Sequence, residues 1–185
     1  MLICSLPRCG ATKFCLDLAD KTGLEFVGEV NPIYLESYND TKKRTHHESK
    51  YQPTYTNIKF IETLTYPDKY IALVNTMPYL VINQADYILL RRNMRDAFLS
   101  TANFLMKCDP SIKAEYVIQR LNMMYESLIA ISLYVRFNKQ EIVWYEDYFS
   151  RSGTDTSILD DSRYKHVIYR QIDTFMNHND VKALQ

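Results

Sequence analysis

The sequence predicts an α/β protein in which helices cover both faces of a parallel sheet, giving three layers. Short apolar runs that suit buried strands alternate with longer segments whose apolar residues recur at helical spacing. The 185 residues, 46% of them hydrophobic, are enough for one well-packed core and leave little room for another. We therefore expect a single domain over residues 1–185.

Short apolar runs predict five strands. The first strand ends before Pro7, and its uninterrupted apolar character is typical of a central parallel strand. The predicted strands cover residues 2–6, 24–27, 70–74, 87–90 and 141–144.

Helical spacing predicts the segments between the strands. The first helix is expected to end at Gly23, since glycine readily adopts the left-handed conformation that terminates helices. Pro110 is placed in the first turn of the longest helix, where proline is tolerated. The predicted helices cover residues 13–22, 57–65, 95–107, 110–137 and 163–177. The polar segment 38–57 is predicted to be a mobile loop.

Composition excludes several kinds of partner. The 22 basic and 22 acidic residues balance, so a nucleic acid is not expected as a partner. The four cysteines form no C-x-x-C pair, which predicts no zinc site and ordinary packing in a reducing compartment. No apolar run is long enough for a membrane span, and the N-terminus lacks the basic region of a secretory signal. A cytoplasmic location is therefore expected.

The loop after the first predicted strand has the layout of an anion cradle. Residues 7–13, Pro-Arg-Cys-Gly-Ala-Thr-Lys, lead directly into a helix. Gly10 lets the backbone approach an anion closely, and the N–H groups of the first helical turn point towards it. Thr12 can donate a hydroxyl, while Arg8 and Lys13 add positive charge. The loop is not a Walker A motif, and a purely structural turn would explain it about as well.

A second candidate anion site follows the fourth predicted strand. Arg92 stands at the strand end, and Ser100 follows on the next helix. A guanidinium fork combined with a hydroxyl suits a phosphate monoester. A surface basic patch, with Arg95 and Asp96 as a local pair, is the alternative.

Together these segments resemble the sulfotransferase superfamily. Residues 5–12 resemble its 5′-phosphosulfate loop, in the arginine form found in protein-tyrosine and carbohydrate sulfotransferases, although Cys9 replaces the usual Ser and Ala11 the usual Thr. Residues 91–96 followed by Ser100 resemble its 3′-phosphate motif. Residues 145–147, Tyr-Glu-Asp, resemble a later family segment in which the tyrosine lies near adenine. The three segments occur in the family's order.

The resemblance implies a P-loop NTPase-like sulfotransferase fold. It also implies 3′-phosphoadenosine-5′-phosphosulfate (PAPS) as the sulfuryl donor, 3′-phosphoadenosine-5′-phosphate (PAP) as the product, a hydroxyl or amine acceptor, and no metal. The implied nucleotide contacts are Arg8, Cys9, Gly10, Ala11, Thr12, Lys13, Arg92, Ser100 and Tyr145.

Two residues are predicted to act in the reaction. Arg8 would stabilise charge on the leaving oxygen, with Lys13 as a helper. Glu29, at the end of the second strand, matches the position of a catalytic glutamate in the tyrosine-type enzymes and is the predicted general base. Pairing of Glu29 with a surface lysine is equally consistent with its position.

Two other functions stay open on the sequence. One is a P-loop nucleotide kinase, which the lack of a Walker A motif and of a clear magnesium-binding aspartate disfavours. The other is a non-catalytic nucleotide-binding protein that has kept the fold, because Cys9 and Ala11 depart from the family pattern. The acceptor and the oligomeric state have no signature in the sequence.

Overall fold

The computed structural model describes residues 1–29, 63, 65–74, 87–135, 141–178 and 181. These residues form an α/β structure with a five-stranded, all-parallel sheet. Contacts divide the chain into two compact units. The sheet unit comprises Met1–Ser5, Gly10–Leu90 and Gln140–Ile142, and the helical unit comprises Leu6–Cys9, Arg91–Lys139 and Val143–Gln185. The single-domain organisation stays a prediction.

All five predicted strands are confirmed, with small changes at their ends. They are β1 Leu2–Ser5, β2 Glu25–Glu29, β3 Tyr70–Val74, β4 Tyr87–Arg91 and β5 Glu141–Trp144. Their order across the sheet is β2-β3-β1-β4-β5. The prediction that β1 is a central strand is correct, because Leu2 lies opposite both Ala72 of β3 and Tyr87 of β4. Every residue of β1 is buried, which explains its unbroken apolar character.

The helix after β1, α1, covers Ala11–Thr22 in the sheet unit. It buries Ala11, Phe14 and Cys15, whose spacing of three and four residues places Phe14 and Cys15 on the same side of the helix as Ala11. Gly23 ends the helix as predicted, with a φ of 73° and an N–H that donates to the Ala19 carbonyl at 2.8 Å.

The helical unit contains α2 Met94–Cys108, α3 Ala114–Val135, α4 Tyr145–Phe149, α5 Ser157–Asp160 and α6 Lys165–Met176. Aromatic rings fill its core: the Phe175 ring lies 5.3 Å from that of Phe98 and stacks at 4.6 Å on that of Tyr125. The buried Asn103 side chain accepts a hydrogen bond from the Leu159 N–H at 2.9 Å, so the start of α5 is fixed to α2. This bond satisfies polar groups that would be costly to bury alone.

The long helix differs from its prediction at its start. Pro110 does not lie in the first turn of α3, which begins only at Ala114. The Asp109 carboxylate accepts hydrogen bonds from the N–H of Ser111 at 2.9 Å and from its hydroxyl at 2.6 Å. This local turn competes with helix formation and delays it by about one turn.

Some predictions concern parts of the chain that the structure does not describe. The predicted loop 38–57 lies wholly outside the described residues, and of the predicted helix 57–65 only Thr63 and Thr65 are described, both helical. None of the helices in the described ranges has the length and apolar character needed to cross a bilayer.

Candidate functional site

The end of β4 places Arg92 in the interior of the helical unit. The residue is only 6% exposed. Its two terminal nitrogens donate to main-chain carbonyls, Nη1 to that of Arg8 at 2.9 Å and Nη2 to that of Gly153 at 2.6 Å. The third guanidinium nitrogen, Nε, is buried and has no hydrogen-bond partner among the described residues. The guanidinium lies 4.5 Å from the centre of the Tyr145 ring, a distance that suits a cation–π contact.

Arg8 adopts an unusual backbone conformation in the loop after β1. Its φ is 64°, in the left-handed region that side chains other than glycine rarely occupy. Such a conformation costs on the order of 1–3 kcal/mol, and residues that hold it are concentrated at functional sites. The guanidinium lies over the Phe104 ring at 4.3 Å. The residue as a whole is exposed, but its guanidinium is partly buried. This burial and, to a smaller extent, the nearby positive charge of Arg92 lower the pKa of the Arg8 guanidinium.

Arg91, for which the sequence predicted no role, is buried as Arg92 is. It is 8% exposed, and its guanidinium lies 5.2 Å from the centre of the Trp144 ring. Its Nη2 is buried and has no hydrogen-bond partner within the described ranges. Burial lowers the pKa of the Arg91 guanidinium. Arg8, Arg91 and Arg92 are called the arginine cluster below. In the part of the chain that the structure describes, no carboxylate forms an ion pair with any of the three.

Two carboxylates near the cluster are engaged by the main chain instead. Glu146 accepts a hydrogen bond from the Asn93 N–H at 2.9 Å, and Asp96 accepts one from the Gly153 N–H at 2.9 Å. Gly153, with a φ of 75°, therefore connects Asp96 to Arg92, because its carbonyl accepts from the guanidinium. These acids stabilise the start of α2 and the turn at Gly153.

Cys9, which stands between Arg8 and Gly10 in the loop after β1, is fully buried. It is 0% exposed, and its Sγ lies 3.9 Å from the Pro7 carbonyl oxygen. Burial raises the pKa of the thiol to about 12, against an opposing effect of the Arg92 and Arg91 charges. The thiol is therefore neutral and unreactive near pH 7, unlike the thiolate of a catalytic cysteine.

The rest of the predicted phosphate loop belongs to the sheet unit. Gly10 has a φ of 73° and immediately precedes α1, while Ala11 is buried. Thr12 and Lys13 are exposed, and the Lys13 ammonium pairs with Asp17 one turn along the helix at 2.5 Å. The binding of an anion by this loop stays a prediction.

The remaining predicted residues lie at separate places. Ser100 is half-buried in the second turn of α2. Glu29 is exposed at the carboxyl end of β2, the edge strand beside β3, with Leu73 as its register partner. Of the predicted residues, the structure brings together Arg8, Arg92 and Tyr145. The contacts described above involve four further residues: Arg91, Trp144, Phe104 and Gly153. Of these, only Arg91 could have been noticed in the sequence, because it is a charged residue at the end of an apolar strand.

In the described ranges, no group of three or more histidine, cysteine and acidic side chains is arranged to hold a metal ion. Comparison with protein-family models gives no match to the sequence, and a search of curated proteins gives no significant match.

Proposed function

We propose that this protein is a sulfotransferase that moves a sulfuryl group from PAPS to a hydroxyl or amine acceptor. The observation that supports the proposal best is the pair Arg91 and Arg92 at the carboxyl end of β4. Both are buried, and each has one buried guanidinium nitrogen without a hydrogen-bond partner in the described part of the chain. Ligands of parallel α/β proteins bind at this end of the strands. The position at the strand ends supports a ligand site in general. The sequence resemblance is the ground for proposing the sulfotransferase superfamily and its three-layer, P-loop-type fold.

The cluster has the chemistry needed for a nucleotide phosphate. A buried donor without a partner costs about 1–3 kcal/mol, and an anion would satisfy the free Nε of Arg92. The contact between Arg92 and the Tyr145 ring also supports a nucleotide site. An aromatic ring close to a phosphate-binding arginine can stack on adenine. Ser100 stays a predicted second donor to the 3′-phosphate, and Cys9, Gly10, Ala11, Thr12 and Lys13 stay predicted contacts of the 5′-phosphosulfate.

The residues of the chain would then have distinct roles. PAPS supplies an activated sulfuryl group, whose transfer needs positioning and charge stabilisation. Arg8, held in its left-handed conformation, would direct positive charge at the leaving oxygen. Lys13 would give further electrostatic support, and Glu29 would accept the proton of the acceptor hydroxyl.

A specific observation favours a second function, nucleotide binding without catalysis. Cys9 and Ala11 carry no hydroxyl at the positions where the family pattern has one, and both side chains are buried, at 0% and 6% exposed, so the Cys9 thiol is not presented to a ligand in its place. Backbone N–H groups would then be the main contacts of the 5′ end. Such a protein would bind PAP but would not turn over PAPS.

Thermal unfolding with and without nucleotide tests the proposal. PAP at a hundred times its dissociation constant should stabilise the fold by about 2.7 kcal/mol, and AMP should do so much less because it lacks the 3′-phosphate. Equal stabilisation by both nucleotides would remove the support for the family. PAP binding without sulfuryl transfer from PAPS to any hydroxyl or amine in an acceptor panel would select the non-catalytic function.

A further inference from the structure

Asp96 is connected to Arg92 through one residue of the main chain. Its carboxylate accepts a hydrogen bond from the Gly153 N–H at 2.9 Å, and the Gly153 carbonyl accepts one from Nη2 of Arg92 at 2.6 Å. Arg95, the partner of Asp96 that the sequence suggested, donates instead to the Asp173 carboxylate at 2.6 Å. The carboxylate of Asp96 is therefore directed at the turn that binds Arg92.

The two ends of this connection differ in how firmly their own backbone holds them. Asp96 lies in the first turn of α2, and its N–H donates to the Asn93 side chain that caps the helix, at 3.3 Å. Gly153 lies in the segment between α4 and α5, with a φ of 75°. A loop residue in the left-handed region relies on contacts from outside the loop. The helix therefore supplies, through the Asp96 carboxylate, a fixed support for Gly153.

The orientation of the Arg92 guanidinium depends on the Gly153 carbonyl. Nη1 donates to the Arg8 carbonyl and Nη2 to that of Gly153, so the two bonds together fix the plane of the group. Arg92 is only 6% exposed, and water cannot readily replace a carbonyl that moves away. Displacement of Gly153 would leave Nη2 a buried donor without an acceptor, which favours a different position of the guanidinium.

We infer that Asp96 is a positioning residue for Arg92, which acts through the Gly153 main chain and does not contact the ligand. The inference deepens the proposed function and rests on it in one respect, because the anion that Arg92 would bind is the 3′-phosphate of PAP. The effect of Asp96 on the orientation of Arg92 is independent of the nucleotide and is tested separately.

Two other roles of Asp96 predict different results. If its charge acted on the ligand through space, removal of the carboxylate would strengthen the binding of an anion. If the carboxylate only stabilised the start of α2, its removal would lower stability and leave ligand affinity unchanged. Positioning predicts weaker binding of an anion although a negative charge has been removed.

Asp96→Ala and Asp96→Asn separate the hydrogen bond from the charge. Both remove the negative charge, but only Asp96→Asn keeps an oxygen that can accept from the Gly153 N–H. In calorimetric titration, Asp96→Ala should weaken PAP binding about tenfold, as expected for a misplaced charge-assisted contact, and Asp96→Asn should stay within about threefold of the wild type. Asp173→Ala is the matched control, since it removes an exposed carboxylate from the same unit and should not change PAP affinity. The same PAP affinity in both Asp96 variants would overturn the inference.

Side-chain NMR tests the orientation of Arg92 without nucleotide, beginning with the wild type. The two hydrogens on Nη2 should give separate signals, because the bond to the Gly153 carbonyl hinders rotation about Cζ–Nη2. They should stay separate in Asp96→Asn and merge in Asp96→Ala. A single averaged signal in the wild type, or separate signals in Asp96→Ala, would overturn the inference. Merged signals in Asp96→Ala, together with no PAP binding by the wild type, would support the positioning role and contradict the proposed function.

Discussion

The Arg92 guanidinium donates a hydrogen bond to the Arg8 carbonyl at 2.9 Å, across 84 residues of sequence. This bond fixes the loop after β1 at Arg8. Arg8 is the residue of that loop that has a left-handed conformation without being a glycine. In the proposed function Arg92 therefore has two tasks. Its terminal nitrogens bind backbone carbonyls, and Nε, which has no hydrogen-bond partner among the described residues, would donate to the anion. A change at Arg92 should affect both the fold and the ligand.

Arg92→Ala should lower PAP affinity more than Ser100→Ala. A charge-assisted contact contributes about 1.5–3 kcal/mol, whereas a neutral hydroxyl contributes about 0.5–1.5 kcal/mol. Arg92→Ala should also reduce the free energy of unfolding by about 1–3 kcal/mol without ligand, since the Arg8 and Gly153 carbonyls lose their donor. Calorimetric titration and urea unfolding measure the two effects. A larger loss of affinity in Ser100→Ala would contradict the arrangement proposed for the site.

Gly153→Ala should reduce stability and PAP affinity together. An added Cβ would meet no atom within 4 Å, but the φ of +75° strains any L side chain by about 1–2 kcal/mol. Gly23→Ala is the control, because Gly23 has a φ of +73° and equally open surroundings at the end of α1. Both variants should lose similar unfolding free energy, and only Gly153→Ala should bind PAP more weakly, since the Gly153 carbonyl positions Arg92. Equal PAP affinity in the two variants would show that this contact has no effect on the ligand.

Glu29→Gln should separate chemistry from binding. The amide keeps the shape of the carboxylate and removes the proton acceptor, so PAP affinity should be unchanged. Sulfuryl transfer from PAPS to a responsive hydroxyl acceptor should fall by about 10²–10⁴-fold. Radiolabelled transfer, corrected for the folded fraction, measures this loss. Nearly normal transfer with reduced stability would mean that Glu29 only pairs at the strand end.

The fold should lose stability as the pH rises above about 9. Burial raises the pKa of Cys4, Cys9 and Cys15 from 9.0 to about 12. Between these values the unfolded chain loses thiol protons that the folded chain keeps, so alkali favours unfolding. Each thiol should lower the unfolding free energy by about 1.4 kcal/mol per pH unit in this range.

Cys15→Ala isolates one thiol from the other groups that titrate in alkali. Urea unfolding at pH 8 and pH 10 should show a smaller decrease in the variant than in the wild type, because one of the three buried thiols is gone. Equal decreases would mean that Cys15 is already deprotonated in the folded state or does not titrate in the unfolded state.

Most of the strand positions could be predicted from sequence because parallel strands are buried on both faces. Leu2 to Ser5 and Tyr70 to Val74 are nearly continuous apolar segments, and this pattern does not depend on distant contacts. The start of α3 could not be predicted in the same way. There, the hydrogen bonds of one side chain, Asp109, outweigh the preference of Pro110 for a first helical turn.

The candidate site was predictable only where a single residue carries a local signal. Arg92 and Tyr145 could be selected because each directly follows an apolar run, and the structure places them 4.5 Å apart. Gly153 could not be selected, since its role arises from hydrogen bonds to Arg92 and Asp96, which are distant in sequence. The buried state of Cys9 likewise follows from packing that no local pattern records.

The central place of β1 in the sheet also determines when the sheet can form during synthesis. Leu2 is translated before both of its partners in the sheet, Ala72 and Tyr87. At synthesis rates of about 5–20 residues per second, the central strand of the sheet is therefore without its neighbours for several seconds. Pairing over such long separations is slow, so we expect the formation of the sheet to wait until β3 and β4 have been synthesised.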